Sequence, residues 1–284
     1  MLYYGMLTAA AAMFGTQFLF KQVFRRNYHG NAMEATAVSG LGGAIFGLIC
    51  MLCVNGFCFE YSHFSILMAA VSTLNGLFFT FCSMKALGKI NLSLYSTFSM
   101  LGGMALPFAA GILFFDEQLT LGKSLCFILI SISFLFTLKK DDNTKSEKKY
   151  YIGVFLFNGM AGVISKFYAA GPFEKVSAAG YSILTAILSV LTYAILLICL
   201  KPNLRKLNLK AIGGIFGSGV LNKVANWLML IALVHVPASA EYPFITGGTM
   251  IISTAWAYFM KDKPSKRELL SILIAFLGII ALIL

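Results

Sequence analysis

Lys223 is a charged residue in the middle of a long apolar segment. It lies about 14 residues from Leu209 and about 11 from Val234, near the two ends of that segment. In a helix these separations are roughly 15–20 Å, so the amine cannot easily reach either end. A charged side chain at this depth costs about 3 kcal/mol or more if it faces lipid. We therefore expect Lys223 to face either water in a cavity or a static partner inside a helix bundle.

The neighbours of Lys223 favour the cavity. Asn222 and Asn226 are one helical turn apart, and so are Lys223 and Trp227. Polar and aromatic groups therefore share one side of this helix. Because such a face is poorly matched to lipid, we expect all four residues to line a binding site.

Two glutamates are candidates for a negative partner. Glu34 lies three residues after Asn31, which is the spacing of a helix capping box, so its expected role is structural. Glu241 comes early in a later segment, after Pro237, where a carboxylate also suits the helix dipole. Two interpretations of Glu241 stay open: a charge that stabilises the helix start, or a counter-ion of Lys223 or proton-coupling group in the site.

The remaining candidates are polar or aromatic side chains of other apolar segments, which we expect beside Glu241 or on the opposite wall of the cavity. They are Gln17, Asn75, Tyr95, Tyr181 and Tyr242. Asn75 could instead hydrogen-bond to a neighbouring helix. Tyr181 begins a polar stripe that recurs at every fourth position, which indicates an inward face. Lys21 and Lys166 lie only a few residues from the ends of their segments, so we expect both to snorkel to the membrane surface.

The composition requires lipid around the whole chain. Its 284 residues are 59% hydrophobic and 12% charged, with a mean hydropathy of +0.83, whereas soluble domains carry about 25% charged residues. At roughly 20 residues per span, this length allows about ten helices and no soluble domain. We predict an all-α polytopic membrane protein with ten transmembrane helices. Their approximate bounds are 2–24, 31–54, 64–87, 91–115, 121–138, 150–169, 175–200, 207–234, 237–260 and 265–284.

A polar linker divides these helices into two sets of five. Residues 139–149, KKDDNTKSEKK, separate an N-terminal repeat, residues 1–138, from a C-terminal repeat, residues 150–284. Because each set contains an odd number of helices, the second must cross the membrane in the opposite direction to the first. Two inverted repeats are the plan of many secondary transporters.

Basic residues concentrate on the linker's side of the predicted membrane. Eighteen of the 22 Lys and Arg residues lie in connections on that side, and two lie on the other. Because basic residues that flank spans stay in the cytoplasm, we place the linker in the cytoplasm and both termini outside a cytoplasmic membrane. The net charge of +11 is thus an orientation signal, and we expect no nucleic-acid partner.

The sequence lacks the motifs of common enzyme and cofactor sites. It contains no H-E-x-x-H, G-x-S-x-G or G-x-x-x-x-G-K-[ST] pattern. Its six cysteines lie mostly within spans, as small apolar residues. We expect no enzyme activity, no cofactor and no metal. Without a nucleotide-binding loop, any transport would use a gradient or exchange.

Short motifs recur in the two halves at matching positions, so that helices three to five match helices eight to ten. The aligned pairs are Ala86-Leu87…Leu92-Ser93 with Ala232-Leu233…Ala238-Ser239, Gly102-Gly103 with Gly247-Gly248, Glu117 with Asp262, and Thr120 with Ser265. Their common order and spacing indicate a duplicated chain.

These motifs resemble those of the drug/metabolite transporter superfamily, EamA-like branch. The two Ala-Leu…Ala-Ser segments look like the starts of its fourth and ninth helices, and Glu117-Gln118-Leu119-Thr120 looks like its Glu-led turn into the fifth. Asp262 and Ser265, followed by Leu273-Ile274 and Gly278, repeat that turn in degraded form. The resemblance implies ten helices in two inverted five-helix repeats, a central cavity lined chiefly by helices 1–4 and 6–9, and transport of an unspecified substrate.

Together, the residues and the resemblance predict a monomeric or weakly dimeric secondary active transporter that works by alternating access. Lys223 and Glu241 would offer both charges to a small organic metabolite, amino-acid-like or zwitterionic, with proton coupling or exchange. Three alternatives remain: a carrier of organic cations such as quaternary ammonium compounds, caged by Glu241 and Trp227; a flippase of a lipid-linked metabolite; and a scaffold that transports nothing.

Overall fold

The computed structural model describes residues 2–87, 92–137, 148–202, 204, 207–259 and 266–281, and this part of the chain folds into ten α-helices with no strand. The helices are α1 (Leu2–Asn27), α2 (Ala32–Val54), α3 (His63–Leu87), α4 (Leu92–Phe115), α5 (Leu121–Thr137), α6 (Lys148–Ala170), α7 (Ala178–Leu200), α8 (Leu209–Ala232), α9 (Ala238–Phe259) and α10 (Lys266–Ala281). Each of the ten predicted segments corresponds to one of these helices. Most of the predicted linker lies outside the described residues.

Polar side chains set the starts of several helices. Asn31 accepts a hydrogen bond from the Glu34 amide at 2.8 Å, and its side-chain amide donates to the Glu34 carboxylate at 2.9 Å. The predicted structural role of Glu34 is thus confirmed. Ser177 and Asn208 accept from backbone amides in the same way at the starts of α7 and α8. These bonds satisfy amides that no carbonyl of the helix can reach.

Six helices are long and apolar enough to cross a membrane. They lie in the ranges Ala32–Val54, His63–Leu87, Phe98–Phe115, Ile152–Ala170, Ala178–Leu200 and Leu209–Ala232. By this length and composition the chain is a membrane-embedded, multi-pass helical protein. A shorter apolar stretch, Leu121–Ser133, lies in α5.

The largest helix interfaces join the first half of the chain to the second. Helix α1 packs on α8 and α9, α2 on α7 and α8, α3 on α6 and α7, α4 on α6 and α9, and α5 on α10. Contacts between successive helices, such as α2 with α3, are less extensive. The two halves therefore interlock through α1–α4 and α6–α9, while α5 and α10 form a separate pair.

Small residues bring α2 and α8 into direct backbone contact. A Cβ atom at Gly219 would lie 2.5 Å from the Cα atom of Gly43, which is closer than any side chain can approach. Small residues at such crossings allow helices to pack tightly without a hydrophobic driving force from water. This close crossing brings the middle of α8, including Lys223, against α2.

Candidate functional site

A central cavity of about 290 Å³ lies between the two halves. Its described wall is formed by residues of α1, α2, α3, α4, α6, α7, α8 and α9. Ligand pockets for drug-sized molecules typically measure about 300–1,000 Å³. The cavity is therefore the size of a site for one small molecule.

Lys223 reaches into this cavity from α8. A Cβ atom at Gly47 of α2 would overlap the Cγ atom of Lys223, so the lysine stem runs directly over this glycine. The Nζ atom then donates to the Thr185 hydroxyl of α7 at 3.0 Å. Lys223 is half-buried and lines the cavity. The depth that the sequence indicated thus corresponds to a position in the wall of the cavity.

Amide side chains join α1 and α8 beside Lys223. The Asn222 side-chain amide donates to the Gln17 carbonyl oxygen at 2.9 Å. One turn along α8, Asn226 donates to the backbone carbonyl of Asn222 at 2.7 Å. All three amides line the cavity. They therefore form a polar strip along the interface between α1 and α8.

Lys21 is a second cation in the cavity wall. Its Nζ atom lies 4.9 Å from the centre of the Phe79 ring, which is a distance suited to a cation–π interaction. Both side chains line the cavity. The prediction that Lys21 snorkels to the membrane surface is therefore replaced by an inward position, where its amine rests on an aromatic ring of α3.

Three further predicted residues line the cavity while they hold neighbouring helices. Asn75 donates to the Phe157 carbonyl at 2.8 Å, and the Tyr242 hydroxyl donates to the Gly162 carbonyl at 2.9 Å. Tyr181 stacks on Tyr168, with 3.9 Å between ring centres. Since these groups already have partners, the same side chains shape the wall and hold helices together: Asn75 joins the two halves, whereas Tyr242 and Tyr181 join helices within the second half.

Three of the predicted residues lie outside the described cavity wall. Tyr95 is fully buried and donates from its hydroxyl to Ser83 at 2.7 Å. Trp227 is half-buried on α8 and does not line the cavity. Glu241 is also absent from the wall and is completely buried. Its two carboxylate oxygens have no hydrogen-bond partner among the described residues.

Glu241 belongs to a different charge cluster from Lys223. The ionisable groups that act on it are Lys166 and Glu117, whereas Lys223 is bonded to Thr185. Of the two open interpretations of Glu241, the counter-ion of Lys223 therefore has no support from the positions of these groups. The packing of α9 against α4 and α1 directs the start of α9 towards Glu117 rather than towards the middle of α8.

Glu117, just after the end of α4, contacts residues of the second half. The Lys166 amine of α6 lies 2.7 Å from one carboxylate oxygen. The amides of Ala238 and Ser239, at the start of α9, donate to the same carboxylate at 3.0 and 2.9 Å. Burial by itself would raise the pKa of Glu117, but the hydrogen bonds from Lys166 and Ser239 outweigh it and lower this pKa to about 2. Glu117 is thus a charged cap on α9.

This cluster corrects the expected position of Lys166. The side chain is buried, so it does not snorkel to the surface. Sequence reasoning missed the pair because Glu117 and Lys166 are in different halves of the chain. The available signal was the Glu-led turn itself, since a carboxylate in a short connection is well placed to cap a nearby helix.

A second set of contacts joins the halves at the connection between α2 and α3. The Glu60 carboxylate accepts from the Ser177 amide and from the Ser177 hydroxyl, both at 2.8 Å. The backbone hydrogen bond from Ser177 lowers the pKa of Glu60. Next to it, Phe64 of α3 stacks on Tyr168 of α6. This end of the cavity is therefore bridged by polar and aromatic groups.

The described cavity wall carries positive charge only. Lys21 and Lys223 line it, and no aspartate or glutamate does so among the described residues. Hydroxyl and amide groups supply the other polar contacts. The described part of the chain contains no group of three His, Cys, Asp or Glu residues that could hold a metal ion. The chemistry of the wall is that of a binding site with hydrogen-bond donors and two ammonium groups.

Comparisons with known proteins give a fold but no family. No family model matches the chain, and no curated protein matches it. A solved structure described only as "Crystal structure of protein" matches with a TM-score of 0.69 and 13% identity, over 97% of this chain and 94% of that chain. At this identity the likeness concerns the fold alone.

Proposed function

We propose that this protein is a secondary active transporter that moves a small organic metabolite across the cytoplasmic membrane by alternating access. The observation that carries the proposal is a molecule-sized cavity between the two halves of the chain, with the amine of Lys223 in its wall. A lysine in the middle of a membrane helix is costly unless it serves a water-filled pathway or a partner. Transport would use a gradient or exchange.

Ten membrane crossings in two inverted repeats are part of this proposal. A duplicated chain would make each helix of the first half equivalent to the helix five places later in the second half. Exchanging equivalent helices turns the α1–α8 interface into the α6–α3 interface, and the α4–α6 interface into the α9–α1 interface, and all four are present. The α2–α7, α4–α9 and α5–α10 interfaces convert into themselves. This pattern is expected of a twofold axis between the halves. With five helices in each half, that axis would lie in the membrane plane.

Membership of the drug/metabolite transporter superfamily is also proposed. Two of the motifs behind the resemblance meet in space, because Glu117, from the Glu-led turn, caps the helix that begins at Ala238-Ser239. A direct contact gives both motifs a shared physical role. The likeness of fold at 13% identity adds no support for this particular family.

The contacts at one end of the cavity support alternating access. Glu117 with Lys166, and Glu60 with Ser177, each join the first half to the second. In this proposal, the charge bias of the connections puts the linker in the cytoplasm, so this end would face the outside of the cell. Release of these contacts would let one half rock against the other and open the cavity outwards. Charged and polar contacts suit this task because water can replace them when they separate.

The test is replacement of Lys223 by Met, which keeps the length of the side chain and removes its charge. A thermal-shift screen of a metabolite library would first supply a labelled compound, and its uptake into proteoliposomes would then be compared. We expect the variant to lose uptake while its elution profile and helical content stay those of the wild type. Unchanged uptake would remove Lys223 from the site, and a wild type that moves no compound would contradict transport.

The organic-cation alternative has little support from the cavity. Its proposed cage, Glu241 with Trp227, lies outside the described wall, and the charged side chains that do line it are lysines. A cation would therefore meet repulsion rather than a counter-ion.

A further inference from the structure

We propose that the substrate is a small organic anion, with a carboxylate or phosphate group that binds Lys223 while Lys21 adds positive potential. This inference rests on the proposed transport function and specifies its substrate class. It departs from the zwitterion expected from the sequence, because that expectation required Glu241 in the wall. The structure has no carboxylate in the described wall to receive a positive group.

The first argument is the uncompensated charge. Lys166 has a counter-ion among the described residues, the carboxylate of Glu117. By contrast, the amine of Lys223 meets a neutral hydroxyl, and the amine of Lys21 meets an aromatic ring. Two half-buried ammonium groups without a described counter-ion are costly in a membrane protein. An anionic ligand between the halves would supply the missing charge.

The second argument is the free hydrogen-bonding capacity of Lys223. Thr185 donates its own hydroxyl proton to the Ser182 carbonyl at 2.9 Å, so the hydroxyl oxygen accepts from Lys223. An ammonium group has three N–H donors, and this bond uses one of them. Two donors remain for a ligand. A carboxylate or phosphate has enough acceptor atoms to use both, and such charge-assisted bonds are the strong ones.

The third argument is the way in which the amine is positioned. Gly47 leaves room for the Lys223 stem, and Thr185 holds the end of the side chain. A static lysine in a bundle would be expected to pair with a carboxylate, as Lys166 does. Lys223 is instead oriented by a neutral group and keeps its charge available. This is the arrangement expected of an anion-binding lysine.

The experiment measures thermal unfolding of the purified full-length protein in detergent, at constant ionic strength, with four sets of small compounds. The anions are succinate, benzoate and glycerol 3-phosphate; the amines are choline and putrescine; the zwitterions are glycine and phenylalanine; the neutral compounds are glycerol and succinamide. The variants are Lys223→Gln, which keeps polarity without charge, and Lys223→Arg, which keeps charge. Lys175→Gln removes an exposed charge outside the cavity and is the matched control.

We expect the anion set to raise the unfolding temperature of the wild type and of Lys175→Gln, with an effect that weakens as salt is added. Lys223→Gln should bind the best anion about tenfold more weakly or worse, and Lys223→Arg should retain most of the binding. A shift confined to amines or zwitterions, or no shift with any anion, would overturn the proposal. So would an anion effect that Lys223→Gln leaves unchanged.

Flux measurements separate this inference from the proposed function. Proteoliposomes loaded with the same compounds would be tested under gradients and under exchange conditions. If a zwitterion or cation is transported and no anion binds, the proposal of an anionic substrate is wrong and the proposal of transport is supported. If an anion binds and no compound is transported, the proposal of transport is wrong and the anion-binding site is supported.

Discussion

The absence of a side chain at Gly47 determines where the side chain of Lys223 can lie. The stem of Lys223 occupies the space that a Cβ atom at position 47 would need. Because both residues lie within helices that touch closely, α8 has little freedom to move aside. We therefore expect the lysine amine to reach Thr185 only while position 47 is glycine.

We predict that Gly47→Ala impairs transport through the position of Lys223. The added methyl group should displace the lysine stem, and crowding of this kind costs about 1–3 kcal/mol. Measured in proteoliposomes, the apparent KM for the transported compound should rise about tenfold. The control is Gly213→Ala in α8, where nothing lies within 4 Å of the new Cβ atom. Equal KM values for both variants would contradict the argument.

At the scale of elements, Glu117 joins three helices from outside any of them. It follows α4, pairs with Lys166 of α6 and caps α9. Removal of one partner of a buried ion pair is more damaging than removal of both, because the remaining charge has no partner. The helix dipole of α9 adds to the need for a negative charge at this point.

We predict that Glu117→Gln lowers the stability of the purified protein by about 3 kcal/mol, whereas Glu117→Gln combined with Lys166→Met recovers much of that loss. The measurement is the unfolding temperature in detergent. Lys166→Met is also measured alone. If it lowers stability as much in the Glu117→Gln background as in the wild type, the two residues act independently and the prediction is wrong.

The same carboxylate predicts a pH dependence. The pKa of Glu117 is lowered to about 2 in the folded protein, against about 4.3 for an unperturbed glutamate. Its contribution to the free energy of unfolding is therefore complete above about pH 4.3 and is lost as the pH falls towards 2. The unfolding temperature of the wild type should fall in this range more steeply than that of Glu117→Gln. Parallel pH curves would contradict the assignment.

At the scale of the whole molecule, each half packs mainly against the other half. Helices α1–α4 make their largest interfaces with α6–α9, and α5 makes its largest with α10. Between helices that are connected in sequence the contacts are smaller. The polar linker can therefore be cut without loss of the main interfaces, but the halves cannot be separated without exposing them.

We predict that residues 1–138 and 150–284, produced as two chains in the same cell, copurify and bind the compounds that the intact protein binds. Each half alone should be degraded or aggregate, since its interface surfaces would face lipid or other chains. Copurification and protease resistance are the measurements. A half that is monomeric and protease-resistant by itself would show that the interfaces between the halves are dispensable for folding.

Local properties of the sequence determined the helices. Hydropathy marks segments of membrane-spanning length, and the cap at Asn31 with Glu34 depends on residues only three positions apart. The same local information singled out Gln17, Asn75 and Lys223, because a polar side chain inside an apolar segment is visible without knowledge of its neighbours. All three line the cavity.

Only the tertiary structure decided which charges meet. Local depth predicted that Lys166 would reach the membrane surface, and the sequence left open whether Glu241 would pair with Lys223 or stabilise the start of its helix. The packing of α6 and α9 around α4 brings Lys166 to Glu117 instead. Partners in different halves of the chain leave no periodic pattern in one sequence, because their distance depends on how whole helices cross. The composition of the cavity, with two lysines and no described carboxylate, is a result of that same packing.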